Sequence, residues 1–471
     1  MTKGIIYKQM QRIACIILLL AFVVPAQTQG SRLQVLIEGL PDGVVYLSRY
    51  NTNAYNIIDS IGAINGSFYF YLEAHQPAGM YRIDLERPDQ RQAESKPRYI
   101  EFIWAGESFE IYASYRDIPG TTSFANSEEN RVLGIFREYE GTYEQKMNAM
   151  YPLIDRYPPG DQFYTDAAAH FVQLQEDRDA FILELTGDHP TLYASRIIDS
   201  YRAVTLQADL KGADRLAYLR EHFFERAPID DPMLLNAPVY SGKIIEYLRL
   251  YRGQEYTFSE QEDAFIEAVD MIMANVSGDP ELRSFAVEYM LEGFESFGME
   301  RVQTYIVDTY VDETCTTDVV ELAVERVKGY RKMAEGQTGA DILVRNVDNK
   351  LVRLSEADAD YTLLVFWATY CEHCREMIPE IHEWYENDRP PNTEVFAVSI
   401  DTVKSDWVQY IRSVRPPWIN GHEPMGWEGQ SAEEYNIYAT PTMFLLDRDR
   451  TIIARPFNMR ELRRTFRKLE R

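Results

Sequence analysis

Residues 361–382 read YTLLVFWATYCEHCREMIPEIH. Thr362–Trp367 is an apolar run rich in β-favouring and aromatic residues with no internal breaker, and it predicts a buried strand. Ala368, Thr369 and Tyr370 turn the chain, and Cys371-Glu372-His373-Cys374 opens a predicted helix that continues through Trp384. The first turn of a helix presents unpaired N–H groups and the positive end of the helix dipole, which together stabilise a thiolate. Cys371 is thereby the expected nucleophile, and Cys374, one turn deeper, is close enough to close a ring with it. Such a pair can attack a disulfide, hold a mixed disulfide briefly and expel the partner.

The flanking sequence extends this pattern. Pro379 falls inside the predicted helix, where a proline kinks the backbone. Far downstream, Ala439-Thr440-Pro441-Thr442 precedes a second apolar strand, Met443–Leu446, that ends at Asp447. Strand, CxxC, kinked helix, TPT turn and FLLD together resemble the thioredoxin fold, and in particular the TlpA/ResA-like thiol-disulfide oxidoreductases of bacterial envelopes. The resemblance runs from about Gln337 to the C-terminus. It implies a cis Pro441 facing the cysteines, with Thr440 offering backbone hydrogen bonds to an extended substrate peptide. It also implies a substrate-facing surface to which Trp367 and Tyr370 contribute, although by its own position Trp367 reads as core beneath the pair.

Two departures from the family bear on proton transfer. Thioredoxin has a buried Asp where this chain has Val365, and TlpA/ResA-like proteins commonly have a Glu where Met377 stands. Glu376 is the remaining candidate relay, one residue and about 100° away around the helix; either it reaches in from that angle or the relay is missing. His373 is expected to tune the couple, since a protonated imidazole stabilises a neighbouring thiolate, while Glu372 opposes it.

The remaining chain supplies the setting. At 471 residues, about three domains are expected. The first 26 residues carry Lys3, Lys8 and Arg12, then an apolar core from Ile13 to Val24 and the small-residue site Val24-Pro25-Ala26. This reads as a secretory signal peptide and predicts a periplasmic protein, the alternative being an uncleaved anchor. The formal charge is −26, and loss of three basic and no acidic side chains with residues 1–26 leaves −29. That charge argues against nucleic acid or an anionic membrane as a partner. The locally basic C-terminal helix complements its own dipole. Of the four cysteines, Cys15 leaves with the signal, the close pair reads as a working couple, and Cys315 stands alone in a helix connection as an inert thiol.

Residues 31–116 alternate in short segments separated by Gly and Asn-Gly turns, predicting an antiparallel β-sandwich with no chemistry of its own. The region resembles the small β-domain that often precedes thioredoxin domains in exported Bacteroidetes proteins. Its tyrosines and Trp104 read as core or, alternatively, as a carbohydrate-binding face. Residues 117–126 read as a linker. From 127 to 335, apolar residues at three and four spacing predict an all-α domain of nine helices. Residues 336–471 then carry the α/β thioredoxin fold.

No cofactor or metal is expected. A zinc site would need further ligands, and nothing pairs His382 with His422; lone His75, His170 and His222 are not at ligand spacing. A peroxiredoxin would need Thr and Pro where Ala368 and Leu364 stand. The expected partners are exported protein disulfides and thiols and a membrane thiol donor. The competing readings are an oxidase or isomerase, a static disulfide in a retired fold, and a binding or scaffold protein whose redox domain is auxiliary.

Overall fold

A computed structural model describes residues 30–87, 98–276, 278–312, 315 and 317–469. The signal peptide read at 1–26 lies outside the described residues. The chain divides into two compact units, Met1–Leu250 and Tyr251–Arg471.

The first unit begins with β1 (Ser31–Glu38), β2 (Gly43–Asn51), β3 (Ala54–Ala63), β4 (Ser67–Leu72), β5 (Gly79–Asp84), β6 (Tyr99–Trp104), β7 (Phe109–Ser114) and β8 (Ser123–Ala125). They form two four-stranded sheets, ordered β4-β1-β7-β8 and β3-β2-β5-β6. Strict inward alternation, seen in the buried Leu33, Val35 and Ile37 of β1, gives the sheets one shared core with Phe70, Tyr81, Phe102 and Ile111. The sandwich is not wholly antiparallel: β1 pairs with β7 in parallel. Nor is 117–126 a free linker, because Ile118–Thr121 forms a helical turn and β8 pairs with β7. Trp104 is buried and its indole donates to the Glu107 carbonyl, which removes it from any sugar-binding face.

Helices α1 (Glu128–Arg156), α2 (Gln162–Asp188), α3 (Tyr193–Asp199), α4 (Gly212–His222) and α5 (Val239–Arg249) complete this unit. Ser127 caps α1 as its position predicts. Asn130, in the first turn, is fastened to β6, its amide accepting from Ile103 N and donating to Ile103 O, both at 2.8 Å. Helix α3 stops at Asp199. Beyond it, side chains of α2 take over the backbone bonding: Arg178 donates to the Tyr201 carbonyl, and Gln175 binds both N and O of Leu206.

The second unit opens with α6 (Phe258–Ala274), α7 (Pro280–Ser296), α8 (Glu300–Tyr310) and α9 (Asp318–Lys332). A seven-stranded sheet follows, ordered β10-β9-β13-β12-β11-β14-β15. Its strands are β9 (Leu343–Arg345), β10 (Leu351–Arg353), β11 (Tyr361–Trp367), β12 (Thr393–Ser399), β13 (Ile419–His422), β14 (Thr442–Asp447) and β15 (Ile452–Ala454). Its helices are α10 (Glu372–Asn387), α11 (Lys404–Val414), α12 (Gln430–Glu434) and α13 (Met459–Leu469). Central β11 runs parallel to β12 and antiparallel to β14. Period-2 alternation sends Leu363, Val365 and Trp367 into a core with α10 and α13, and Leu364 and Phe366 into a second core on the opposite face. The N-terminal β-sheets, helical middle and C-terminal thioredoxin-like α/β region expected from sequence are all present. Strand β13 and α12 had no counterpart in the sequence reading.

Replacing Asn130 with Ala should leave the Ile103 amide and carbonyl unpaired while buried, at a cost of about 2 kcal/mol. Hydrogen exchange at Ile103 is the measurement: opening should become about 30-fold more frequent, and unchanged protection would contradict the fastening role.

Candidate active site

Strand β11 ends at Trp367 in the middle of the sheet and delivers the turn 368–370 to its edge. That turn is held by Asp401 at the end of β12. The Asp401 carboxylate is buried and accepts from Thr369 N at 3.0 and 3.1 Å, from Thr369 Oγ1 at 2.6 Å and from Ser399 Oγ at 2.6 Å. Behind it, His422 Nε2 lies 2.7 Å from the Asp401 carbonyl while its ring stacks on Trp407. A buried carboxylate with this many donors is stable and fixes what it binds. It fixes the approach to Cys371.

Cys371 is the N-cap of α10, its sulfur accepting from Cys374 N at 3.3 Å. The same sulfur donates to the Thr440 carbonyl at 3.2 Å, and the Thr440–Pro441 peptide is cis. Cys371, Cys374, Thr440 and Pro441 therefore converge, although 66 residues of chain separate Cys374 from Thr440. Both cysteines of the pair are free; Cys371 is half-buried and Cys374 buried. Burial, followed by the hydrogen bond with Cys371, pushes the Cys374 thiol well above its ordinary range. Pro379 lies within α10, which continues to Asn387.

The other expected site residues sort by helix face and strand parity. Tyr370 is 59% exposed beside Cys371, and its hydroxyl is met by the indole of Trp427, itself on the surface with Met425. Trp427 and Met425 belong to the connection 423–430, anchored by buried Glu423, which accepts from Ser431 N and Oγ. Trp367 is only 1% exposed, against Tyr410, so it supports the cysteine pair from within the core and does not meet substrate. His373 is exposed at the helix mouth. Glu376 is exposed as well, and no carboxylate is among the groups that shift Cys374. The face turned towards Cys374 carries Met377, packed on the core, so the relay expected of Glu376 is not assembled. His382 and His422 are apart, His382 against Trp418 and Glu386. Among the described residues, no group of His, Cys, Asp or Glu is arranged to hold a metal. Cys315 is buried near Asp312, remote in sequence from the pair.

Residues with no local sequence signal brace the cis-proline loop. Tyr438, two residues before Thr440, donates to Glu300 Oε1 at 2.5 Å, and Arg455 forms a two-pronged pair with the same carboxylate. Glu300 starts α8, and Tyr330 of α9 packs its ring against Tyr438. Lower down, Phe258 stacks on Phe457, with ring centroids 4.4 Å apart, and its N–H donates to Glu461. Helices α8 and α9 thus brace the loop that carries Thr440 and Pro441, and α6 packs on the segment before α13.

A nucleophilic sulfur at a helix cap, a buried partner thiol and a cis-proline beside them define a thioredoxin-like domain, and a sequence profile described as thioredoxin-like matches residues 358–452. The same region is similar to the thiol-disulfide oxidoreductases named ResA. It is 22% identical to the thiol-disulfide oxidoreductase ResA of Bacillus subtilis over 125 residues, 26% of this chain and 68% of that protein. To ResA of Bacillus thuringiensis it is 25% identical over 126 residues, 26% of this chain and 69% of that one. Among solved structures, a thioredoxin-like protein from Bacteroides caccae aligns at 15% identity with a TM-score of 0.42, covering 57% of this chain and 97% of that one.

The two cysteines should differ in reactivity. Iodoacetamide at pH 7–8 should modify Cys371 and spare Cys374, because the raised Cys374 pKa keeps that sulfur a thiol. Labelling of Cys374 should grow only as pH rises well beyond 9, and peptide mass mapping across pH reads both sites. Tyr438→Phe, which removes one hydroxyl from the brace on Glu300, should lower kcat/KM for reduction of a protein disulfide about tenfold. The small disulfide dithiobis-nitrobenzoate should be reduced at the parental rate, since it needs no seating along the loop. Parental kinetics on both substrates would remove the brace from the site.

Proposed function

We propose that the protein is an exported thiol-disulfide oxidoreductase that reduces disulfides of envelope proteins through Cys371 and Cys374. The observation that carries this reading is the position of Cys371 Sγ, half-exposed at a helix cap, 3.3 Å from Cys374 N and 3.2 Å from the carbonyl before cis Pro441. The Cys371 thiolate attacks one sulfur of a substrate disulfide; a mixed disulfide forms, and the other substrate sulfur leaves as a thiolate that takes a proton from water. Cys374 then gives up its proton and attacks Cys371 Sγ. The substrate's second sulfur departs and is protonated, and the enzyme is left as the Cys371–Cys374 disulfide with two electrons transferred. A thiol donor in the membrane restores the dithiol.

The state of Cys374 supports the reducing direction. A thiol held protonated by burial is a poor leaving group, so the Cys371–Cys374 disulfide resists reopening and the dithiol is a willing donor. Tyr370, Trp427 and Met425 form an exposed apolar rim beside the nucleophile, suited to an extended polypeptide segment seated along Thr440 and Pro441. His373 tunes the couple from the mouth of the helix. The basic, apolar, small-residue order of residues 1–26 supports export and a periplasmic site of action.

Cys374→Ser removes the resolving sulfur and leaves the attacking one. In the full chain expressed with its leader, this variant should accumulate dithiothreitol-sensitive adducts to exported proteins, and Cys371→Ser should not. Absence of adducts, together with failure of the parent to reduce insulin, would overturn the reading.

A further inference from the structure

In the first unit, α1, α2, α5 and the segment 200–206 surround a cleft of about 660 Å³, within the range of small-molecule sites. Two cations lie at its floor, Arg178 at 8% and Lys243 at 9% exposure. Arg178 is fully engaged: Glu140 receives it through two bonds of 2.8 and 2.7 Å, and the Tyr201 carbonyl accepts a third at 2.9 Å. Lys243 has no such partner. Among the described residues, no carboxylate comes within 4.0 Å of its Nζ, and its close neighbour is the Phe223 ring, 5.4 Å away. Glu246, one turn along α5, attracts Lys243 from an exposed position. The rest of the lining adds Glu144, Asp179 and Glu246 against Arg202 and Arg249, so the cleft as a whole is charge-balanced, and of its two buried cations it is Lys243 that has no carboxylate at bonding distance among the described residues.

A buried ammonium without a partner is costly, and burial lowers the Lys243 pKa to about 8, still charged at neutral pH. The walls above it are the rings of Tyr143, Tyr151 and Phe223. A compact cation at the bottom of an aromatic cleft is complementary to an oxyanion carried on an apolar, planar body.

We propose that this cleft binds a small molecule with a carboxylate or phosphate head and an aromatic or similarly flat apolar body, the head meeting Lys243 Nζ and the body lying among the three rings. The site is separate from the cysteine pair and does not depend on the redox reading.

The test uses the full mature chain and the fluorescent aromatic sulfonate 1-anilinonaphthalene-8-sulfonate. It should bind saturably to one strong site, and benzoate or phenyl phosphate should displace it where neutral benzamide at the same concentration does not. The first competitor reads a carboxylate ligand and the second a phosphate ligand. Lys243→Met keeps the length of the side chain and removes a buried charge, so it should fold, with a parental circular-dichroism spectrum and a cooperative thermal transition as the check. It should weaken probe binding at least tenfold and abolish the rise in melting temperature that benzoate or phenyl phosphate gives the parent. Glu246→Gln, which removes the competing carboxylate, should tighten binding. Equal probe affinity for parent and Lys243→Met, or equal displacement by benzamide, would overturn the proposal.

Discussion

The arrangement of the second unit follows from one sulfur with two obligations. Cys371 Sγ must cap α10, where it meets the Cys374 N–H, and must also lie against the carbonyl of Thr440. The first contact is local and follows from where the helix begins. The second ties together segments separated by 69 residues, so the sheet has to bring the end of β11 and the start of β14 side by side. Their antiparallel pairing, Phe366 opposite Thr442, does this. With β12 on its other side, β11 has no free edge, and its end is a rigid point from which a turn can be aimed.

Rigidity at the turn is bought with buried polar groups. Asp401 spends its oxygens on Thr369 and Ser399, and its carbonyl engages His422. The Pro441 side is braced from farther away, through Tyr438, Glu300 and Arg455. Each of these carboxylates is partnered by more than one donor, which is the condition under which a buried charge orders its surroundings. The site is thus held from both sides by carboxylates that do not themselves touch a reacting sulfur.

What could be read in advance follows from the range of the interactions. Strand parity, helix periodicity, caps and turns are local. Hence the strands of the sandwich, the succession of helices from Glu128 to Lys332 and the order around Cys371 were legible in the sequence. The cap at Cys371 and the turn at Pro441 were legible too, because each carries its own short motif. Asp401, Tyr438 and Glu300 carried no local signal; their role exists only once distant segments meet. Trp367 and Glu376 were each left between two readings for a related reason. An aromatic next to the cysteines and an acid near them suggest contact, but strand parity buries the first and a single residue step around α10 turns the second outward. Strand β13 escaped notice because Ile419-Asn420-Gly421-His422 has little β character; it is a strand because it pairs with β12.

The buried side of the cysteine pair has a chemical consequence. Among the described residues no carboxylate is among the groups acting on Cys374, so on the proposed reading it has no fixed acceptor for the proton it would lose before attacking Cys371. The energy of stripping that proton in an apolar setting falls on the resolving step, and it is lowered only when the mixed disulfide admits water or the substrate supplies a base. On the same reading the first attack needs no such help, since Cys371 is half-buried at the helix mouth with an N–H aimed at it. On the proposed reading, a couple built this way would capture quickly and release slowly. Slow release lengthens the life of the mixed disulfide, and that gives the apolar rim of Tyr370, Met425 and Trp427 time to discriminate: a segment that packs there stays until Cys374 acts, and one that does not is returned by reversal of the first exchange.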